Sequence, residues 1–334
     1  MNKKSLLFAF LLAMLTVVLV ACGGDDKPAK ENEKGEENNE AGSADKPKFM
    51  SLLTGGTSGT YYPLGGGIAK VISDETGIQT DAVSSNASAD NIMSVEAGDA
   101  EIAFAQTDVA TYAEEGINAF DGKPVKNVVG LGALYPETIQ IVTVGKSGIT
   151  SIEDLKGKKV SVGAPGSGTF INAQQILELH GIDIEKDIDA QYLDFGESAG
   201  GIQDGNIDAA FITAGTPTGA VEELKASAEV VILPMDEAKI DELVAKYPYY
   251  AKDVIEEGTY GLKEDVTTVA VMAMLVVSRD LPEDVVYDMT KALYENTDKI
   301  AHDKAKFIDG KTALDGVGID VHPGAQKYFD EVNK

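Results

Sequence analysis

Residues 55–67 read GGTSGTYYPLGGG, and residues 164–170 read APGSGTF. In the first stretch six of the thirteen residues are glycine and five carry a hydroxyl group. Ordering glycines costs conformational entropy, so such a cluster marks backbone that bends sharply or closely approaches something. The second stretch repeats the centre of the first: Ser58-Gly59-Thr60-Tyr61 corresponds to Ser167-Gly168-Thr169-Phe170. A further correspondence follows each turn, because AGDAEIAF ends at Phe104 and DGNIDAAF ends at Phe211, 46 and 44 residues beyond the respective serines. Two matches in the same order at nearly equal spacing predict two related halves. Each half carries a Ser-Gly-Thr-aromatic turn between a strand and a helix.

Outward from these turns, short apolar runs alternate with amphipathic stretches, the pattern of βα units. Strands are expected at Phe49–Thr54, Ile78–Val83 and Glu101–Ala105, the last ending at Gln106. Helices are expected from Pro63, which suits a first helical turn, to about Glu75, over Ala89–Glu96, and from Asp108. Long apolar runs occupy Val128–Leu134 and Ile139–Val144. In the second half SIEDLKGKK reads as a short helix and turn before a strand at Lys159–Val162. A helix from Ile171 to His180 closed by Gly181, a strand around Tyr192–Leu193, a helix at Ser198–Gln203 and a strand at Ile207–Ile212 complete the repeat. TVAVMAMLVVS, residues 268–278, is too short to span a bilayer and suits a strand buried on both faces. An amphipathic helix follows Pro282, with Ser278 or Asp280 as its cap. Crossovers near 142–148 and 266–276 would divide the protein into one lobe of residues 47–142 with 274–334, and a second of residues 143–273.

The hydrophobic content of 43% is enough for a sizeable core. Fifty-five acids against 28 bases leave a formal charge of −27, which repels nucleic acid and anionic headgroups, so neither is an expected partner. At the N-terminus Lys3 and Lys4 precede LLFAFLLAMLTVVLVA, residues 6–21, which has the length of a signal-peptide core rather than of a comfortable span. The run ends in LVAC, and Cys22 is the only cysteine. This resembles a bacterial lipobox, which implies that residues 1–21 are removed and that diacylated Cys22 anchors the chain to the outer face of the cytoplasmic membrane. An ordinary secretory signal with an incidental thiol is the alternative. The segment up to residue 46 contains no aromatic or branched aliphatic side chain after Cys22, so it reads as a solvated acidic tether.

Neutral hydrogen-bonding groups dominate the turns. Thr57, Ser58, Thr60, Tyr61, Ser167 and Thr169 place hydroxyls beside helix-start N–H groups, a combination that suits a carboxylate. Helix capping alone would explain one such turn. Two favour a ligand held between them, because solutes of open α/β sheets sit beyond the carboxyl ends of the strands. Other candidates at strand ends are Ser85, Asn86, Ser88 and Asn91 in SSNASADN, Gln106 and Asp108 in AFAQTD, and Thr213, Thr216 and Thr218 in ITAGTPTG. Asp108 or Glu197 could pair with an ammonium group, or each could be a first-turn helix acid. Arg279, the only arginine, stands between a strand and a helix, a position that favours a surface role over a carboxylate clamp. His180, His302 and His322 are far apart in sequence, and no H-E-x-x-H, C-x-x-C, G-x-S-x-G or phosphate-loop string occurs. Neither catalysis, a metal nor a cofactor is expected.

LLTGGTSGTYYPLGGGIA, SSNASADN, EIAFAQTD, LYPE, VGAPGSGTF and VHPGAQKYF together resemble the TAXI family of TRAP-transporter solute receptors, from about residue 48 to the C-terminus. The resemblance implies an α/β fold like that of type II periplasmic binding proteins: two lobes, each a mainly parallel sheet flanked by helices, around a cleft. It implies capture of a small carboxylate or amino acid of the glutamate kind for a sodium-coupled membrane permease. By motif position the pocket would be lined by residues 57–61 (Thr57, Ser58, Gly59, Thr60 and Tyr61), by Asn86, Ser88 and Gln106, and by Ser167, Gly168 and Thr169. The scarcity of arginine departs from the dicarboxylate TRAP receptors, which hold the ligand carboxylate with that residue. An ABC-importer receptor, a ligand-sensing subunit and an extracytoplasmic hydrolase remain as alternatives.

Overall fold

The computed structural model describes residues 46–334. The signal peptide, Cys22 and nearly all of the tether lie outside the described residues.

The chain runs β1 (Phe49–Leu53), α1 (Tyr61–Thr76), β2 (Gln79–Val83), α2 (Ser88–Ala97), β3 (Ile102–Gln106), α3 (Thr107–Glu115), and then the 17-residue strand β4 (Val128–Val144). It continues with β5 (Lys159–Ser161), α4 (Gly168–Leu179), β6 (Asp189–Gln191), α5 (Phe195–Asp204), β7 (Ala209–Ala214), α6 (Gly219–Lys225), β8 (Val230–Ile232), α7 (Glu237–Lys246) and β9 (Ala251–Ile255). The long strand β10 (Val266–Ser278), α8 (Glu283–Glu295) and α9 (Pro323–Val332) close it. Among the described residues ten strands form one mixed sheet, in the order β2-β1-β3-β10-β4-β7-β5-β6, with β8 added to β4 and β9 to β10. Its outer thirds, β2-β1-β3 and β7-β5-β6, are parallel. In its middle β10 and β4 are antiparallel to each other and to the strands beside them. The expected parallel pattern thus holds at the two ends and gives way to antiparallel pairing where the chain crosses.

β4 and β10 carry both ends of the molecule. Ala273, Leu275 and Val277 face a core built on α1, α8 and α9, while Met274 and Val276 face another built on α2 and α3. Farther back along the same strand Val269 and Val271 join a third core with α4 and α7, and Val266 joins a fourth with α5 and α6. β4 is divided likewise: Val129 to Tyr135 lie in the first cores and Ile139 to Val144 in the others. An unbroken apolar, β-branched run suits a strand with helices on both faces, where the side chains alternate between two cores.

Several expectations shift. The helix expected from Ile171 begins at Gly168, so the turn's own residues form its first turn. The strand placed at Tyr192–Leu193 lies at Asp189–Gln191 instead, and Tyr192 is exposed. Neither Ser278 nor Asp280 caps α8; Pro282 occupies the cap position without a side-chain bond, and the Ser278 hydroxyl accepts the Asp280 N–H. The glycine stretch also divides. Gly65 sits inside α1, where a Cβ would stand 2.7 Å from the Thr54 side chain and 3.0 Å from Phe104. This glycine lets a helix lie close on the sheet, a packing role rather than the approach to a ligand expected for the cluster as a whole.

Candidate functional site

Apart from Glu137, the residues that line the main cavity lie at or just beyond the carboxyl ends of parallel strands. The loop of Gly55–Tyr61 follows β1, Ser85–Ser88 follows β2, and Gln106 ends β3; Ala164–Thr169 follows β5, Asp194–Phe195 follows β6, and Thr213 lies in the last turn of β7. Glu137, from the middle of β4, completes the wall. The cavity has a volume of about 100 Å³. One water needs roughly 10–15 Å³ on this measure, so a solute of a few heavy atoms fits.

Both turns meet here. Gly59, Thr60 and Tyr61 at the start of α1 and Ser167, Gly168 and Thr169 at the start of α4 line the same space. Ser167 caps α4, its hydroxyl accepting the Phe170 N–H at 3.2 Å. Thr60 makes no side-chain cap bond; its hydroxyl reaches across and donates to the Gly215 carbonyl at 3.2 Å. Other bonds also span the gap. The Gly166 carbonyl accepts the N–H groups of Ala89 and Asp90 at the start of α2, and the Ser58 carbonyl accepts the Ala220 N–H at the start of α6. Two helix N-termini are therefore capped by carbonyls from the opposite side.

Tyr61 is fixed by stacking on Phe104, with ring centroids 4.5 Å apart. Its hydroxyl donates to Glu137 Oε2 at 2.8 Å. The Glu137 carboxyl is 2% exposed, and burial pushes its pKa well above the usual carboxylate range. The Gln106 side chain lies against Gly168, where any Cβ would collide with its amide, and its buried Oε1 has no partner. The Ser88 hydroxyl accepts the Gln106 backbone N–H, and the Thr213 hydroxyl donates to Asn172, so both serve the wall as well as line it. Ala87 holds φ 72° and ψ −151°, a conformation that glycine normally occupies, at the cap position of α2. At the mouth Phe195 packs over Gly59, and Asp194 is engaged as the cap of α5 in a reciprocal pair with Glu197.

Of the candidates read from sequence, Gly59, Thr60, Tyr61, Ser85, Asn86, Ser88, Gln106, Ser167, Gly168, Thr169 and Thr213 line the cavity. Thr57, Ser58, Asn91, Asp108, Thr216 and Thr218 do not. Thr57 is exposed at the turn's outer edge, and Ser58 acts through its carbonyl. Thr218 is buried behind the wall, donating to Gly215 and accepting from Gln140. Asp108, buried in the first turn of α3, accepts the Asn172 amide at 3.1 Å; burial raises its pKa to about 7. Glu197 serves the α5 cap, and Arg279 is a surface residue paired with Asp320. Glu137, Asp194 and Phe195 were missed. The available signal for Glu137 was a lone acid in LYPE, between the apolar runs Val128–Leu134 and Ile139–Val144. Among the described residues no lysine, arginine or histidine lines the cavity, and no group of three or more potential metal ligands occurs.

The sequence over residues 52–332 matches the NMT1-like family. Among solved structures the chain is similar to MatC from Rhodopseudomonas palustris with bound malate, at 12% identity over 85% of this chain and 97% of that one, with a TM-score of 0.54. It is also similar to a structure described as a periplasmic transporter, at 15% identity over 86% and 94% with a TM-score of 0.51. A protein of Bordetella bronchiseptica RB50 aligns at 17% identity over 84% and 82%, with a TM-score of 0.51. The shared property is the fold: helices on both faces of a mixed sheet, as in type II periplasmic binding proteins.

Proposed function

The chain belongs to the NMT1-like family, and from that premise we propose that it is an extracytoplasmic solute receptor that captures a small carboxylate or amino acid without transforming it. The observation that carries this reading is the convergence of both Ser-Gly-Thr-aromatic turns on one cavity at the carboxyl ends of the strands. There the N-termini of α1 and α4 line one cavity, where a carboxylate is favoured by the helix dipoles and by N–H groups. The fold is one in which MatC holds malate, so it accommodates a small acid.

The lobes of residues 47–142 with 274–334 and of 143–273 would close over the solute by bending within β4 and β10. The bonds from Thr60 to Gly215, from Ala220 to Ser58 and from α2 to Gly166 would then belong to the closed form. A solute favours closure only through contacts that it gains there. The motif resemblance points to a TRAP-type permease of the TAXI class as the receiving partner, with acylated Cys22 holding the receptor at the membrane. An ABC importer would use the same cavity, and reconstituted uptake that needs a sodium gradient rather than ATP separates the two.

The test is a thermal-shift screen of the full chain against amino acids and C4–C6 organic acids. A solute at a hundred times its Kd adds about 2.7 kcal/mol to stability. The double variant Thr60→Val with Thr169→Val is expected to lose that shift while keeping its unliganded melt. A panel in which only nucleotides or metal ions raise the melt would refute the assignment.

A further inference from the structure

The cavity contains a carboxyl group without a cation. Glu137 is 2% exposed and accepts one hydrogen bond, from the neutral Tyr61 hydroxyl, and no basic side chain lines the space around it. The groups that face it from the packed elements are Tyr61 of α1, Tyr135 on its own strand and Asp108 of α3; none is a cation. An isolated buried carboxylate is costly, so in the empty cavity this group holds its proton. Burial acts in that direction, and the nearby Asp108 adds to it. The Gln106 amide, which lines the same cavity, presents an orphan: its acceptor Oε1 has no donor, and the residue is 2% exposed. Glu137, Gln106 and the N-termini of α1 and α4 thus share one cavity. The helix ends suit the negative end of a solute, and the unpartnered Gln106 Oε1 and the cation-free Glu137 carboxyl suit a charged donor at its positive end.

Resting on the receptor reading above, we infer that Glu137 is the residue that selects the solute's charge: it pairs with a positively charged nitrogen of the bound molecule and releases a proton to solvent in doing so. The balance is one proton leaving the Glu137 carboxyl as the solute's ammonium group arrives, so the buried pair forms without an uncompensated charge. Gln106 Oε1 takes a second N–H of the same nitrogen. A solute of equal shape with a keto group in place of the ammonium would leave Gln106 Oε1 without a donor and give Glu137 no cation to pair with, so it is expected to bind more weakly and without proton release.

Isothermal titration tests this with matched pairs: L-glutamate and 2-oxoglutarate, L-alanine and pyruvate, L-leucine and 4-methyl-2-oxopentanoate. The wild-type chain is expected to bind an amino acid and to discriminate against its keto partner. In buffers of different ionisation enthalpy the heats should report up to one proton released per solute. Glu137→Gln should abolish that release and weaken the amino acid by roughly 10–100-fold, the cost of an unpaired charged hydrogen bond. If that variant does not fold, the wild-type proton count and the pairwise discrimination decide alone. Wild-type binding of a keto acid as tight as that of its amino partner, or capture with no buffer-dependent heat, overturns the role of Glu137 while leaving a receptor in place. Binding of no member of any pair overturns the receptor reading itself, and this inference with it.

Discussion

Tyr61 shows how one side chain joins the fold to the site. Its ring stacks on Phe104 in the core, and its hydroxyl supplies the one hydrogen bond that reaches Glu137 Oε2. Tyr61→Phe keeps the stack and removes the donor, so urea denaturation is expected to show a loss of about 1–3 kcal/mol for an acceptor left unsatisfied. Ala87 presents the reverse case, a residue whose backbone works against stability. Holding φ 72° and ψ −151° costs a residue with a Cβ on the order of 1–3 kcal/mol, and this residue faces the cavity. Ala87→Gly should raise the denaturation midpoint, the relieved strain exceeding glycine's added entropy in the unfolded chain. If it also weakens solute binding, the strain holds Asn86 and Ser88 in place for the solute.

At the scale of elements, the two turns are related in sequence yet act differently. Ser167 caps α4 through its own side chain, while Thr60 spends its hydroxyl on the far wall. Ser167→Ala should therefore cost about 0.5–2 kcal/mol of stability, the ordinary value of an N-cap, measurable in a thermal melt. Thr60→Val should cost less stability and more affinity, because its partner Gly215 belongs to the opposite side of the cavity. β4 and β10 carry the heavier duty: each contributes to cores at both ends of the sheet, so the proposed bending within them would move whole helix layers. No helix among the described residues is long and apolar enough to cross a membrane.

For the whole molecule, a buried polar network ties α3 to α4. Asn172 donates to Asp108 and to Tyr250, whose hydroxyl donates to Gln175, which in turn donates to Tyr112. Burial is the main reason that the Asp108 pKa rises from 3.8 to about 7. A raised carboxyl pKa means that the native state keeps a proton which the unfolded chain has released. The Asp108 contribution to stability should accordingly fall as pH rises from about 4 to about 7 and level off above. Asp108→Asn should flatten part of that slope in urea midpoints measured at each pH, and Glu137→Gln, whose carboxyl is raised in the same direction, should remove more. The ion pairs on the surface are exposed and add little.

The repeated turns, the alternation of strands and helices, and the buried character of residues 268–278 were legible because each depends on local pattern: glycine and hydroxyl spacing, or apolar periodicity. Most of the candidate positions at strand ends line the cavity, since a loop after a parallel strand is bound to open at that edge of the sheet. The rest depended on which chains become neighbours. The halves share one sheet because β4 and β10 pair over residues 128–138 and 270–278, and such pairing is set by long-range packing that no window of sequence contains. Glu137 could not be singled out for the same reason. An acid in a strand acquires its meaning only when Tyr61, Gln106 and the absence of a lining cation are brought around it, and burial then decides its proton.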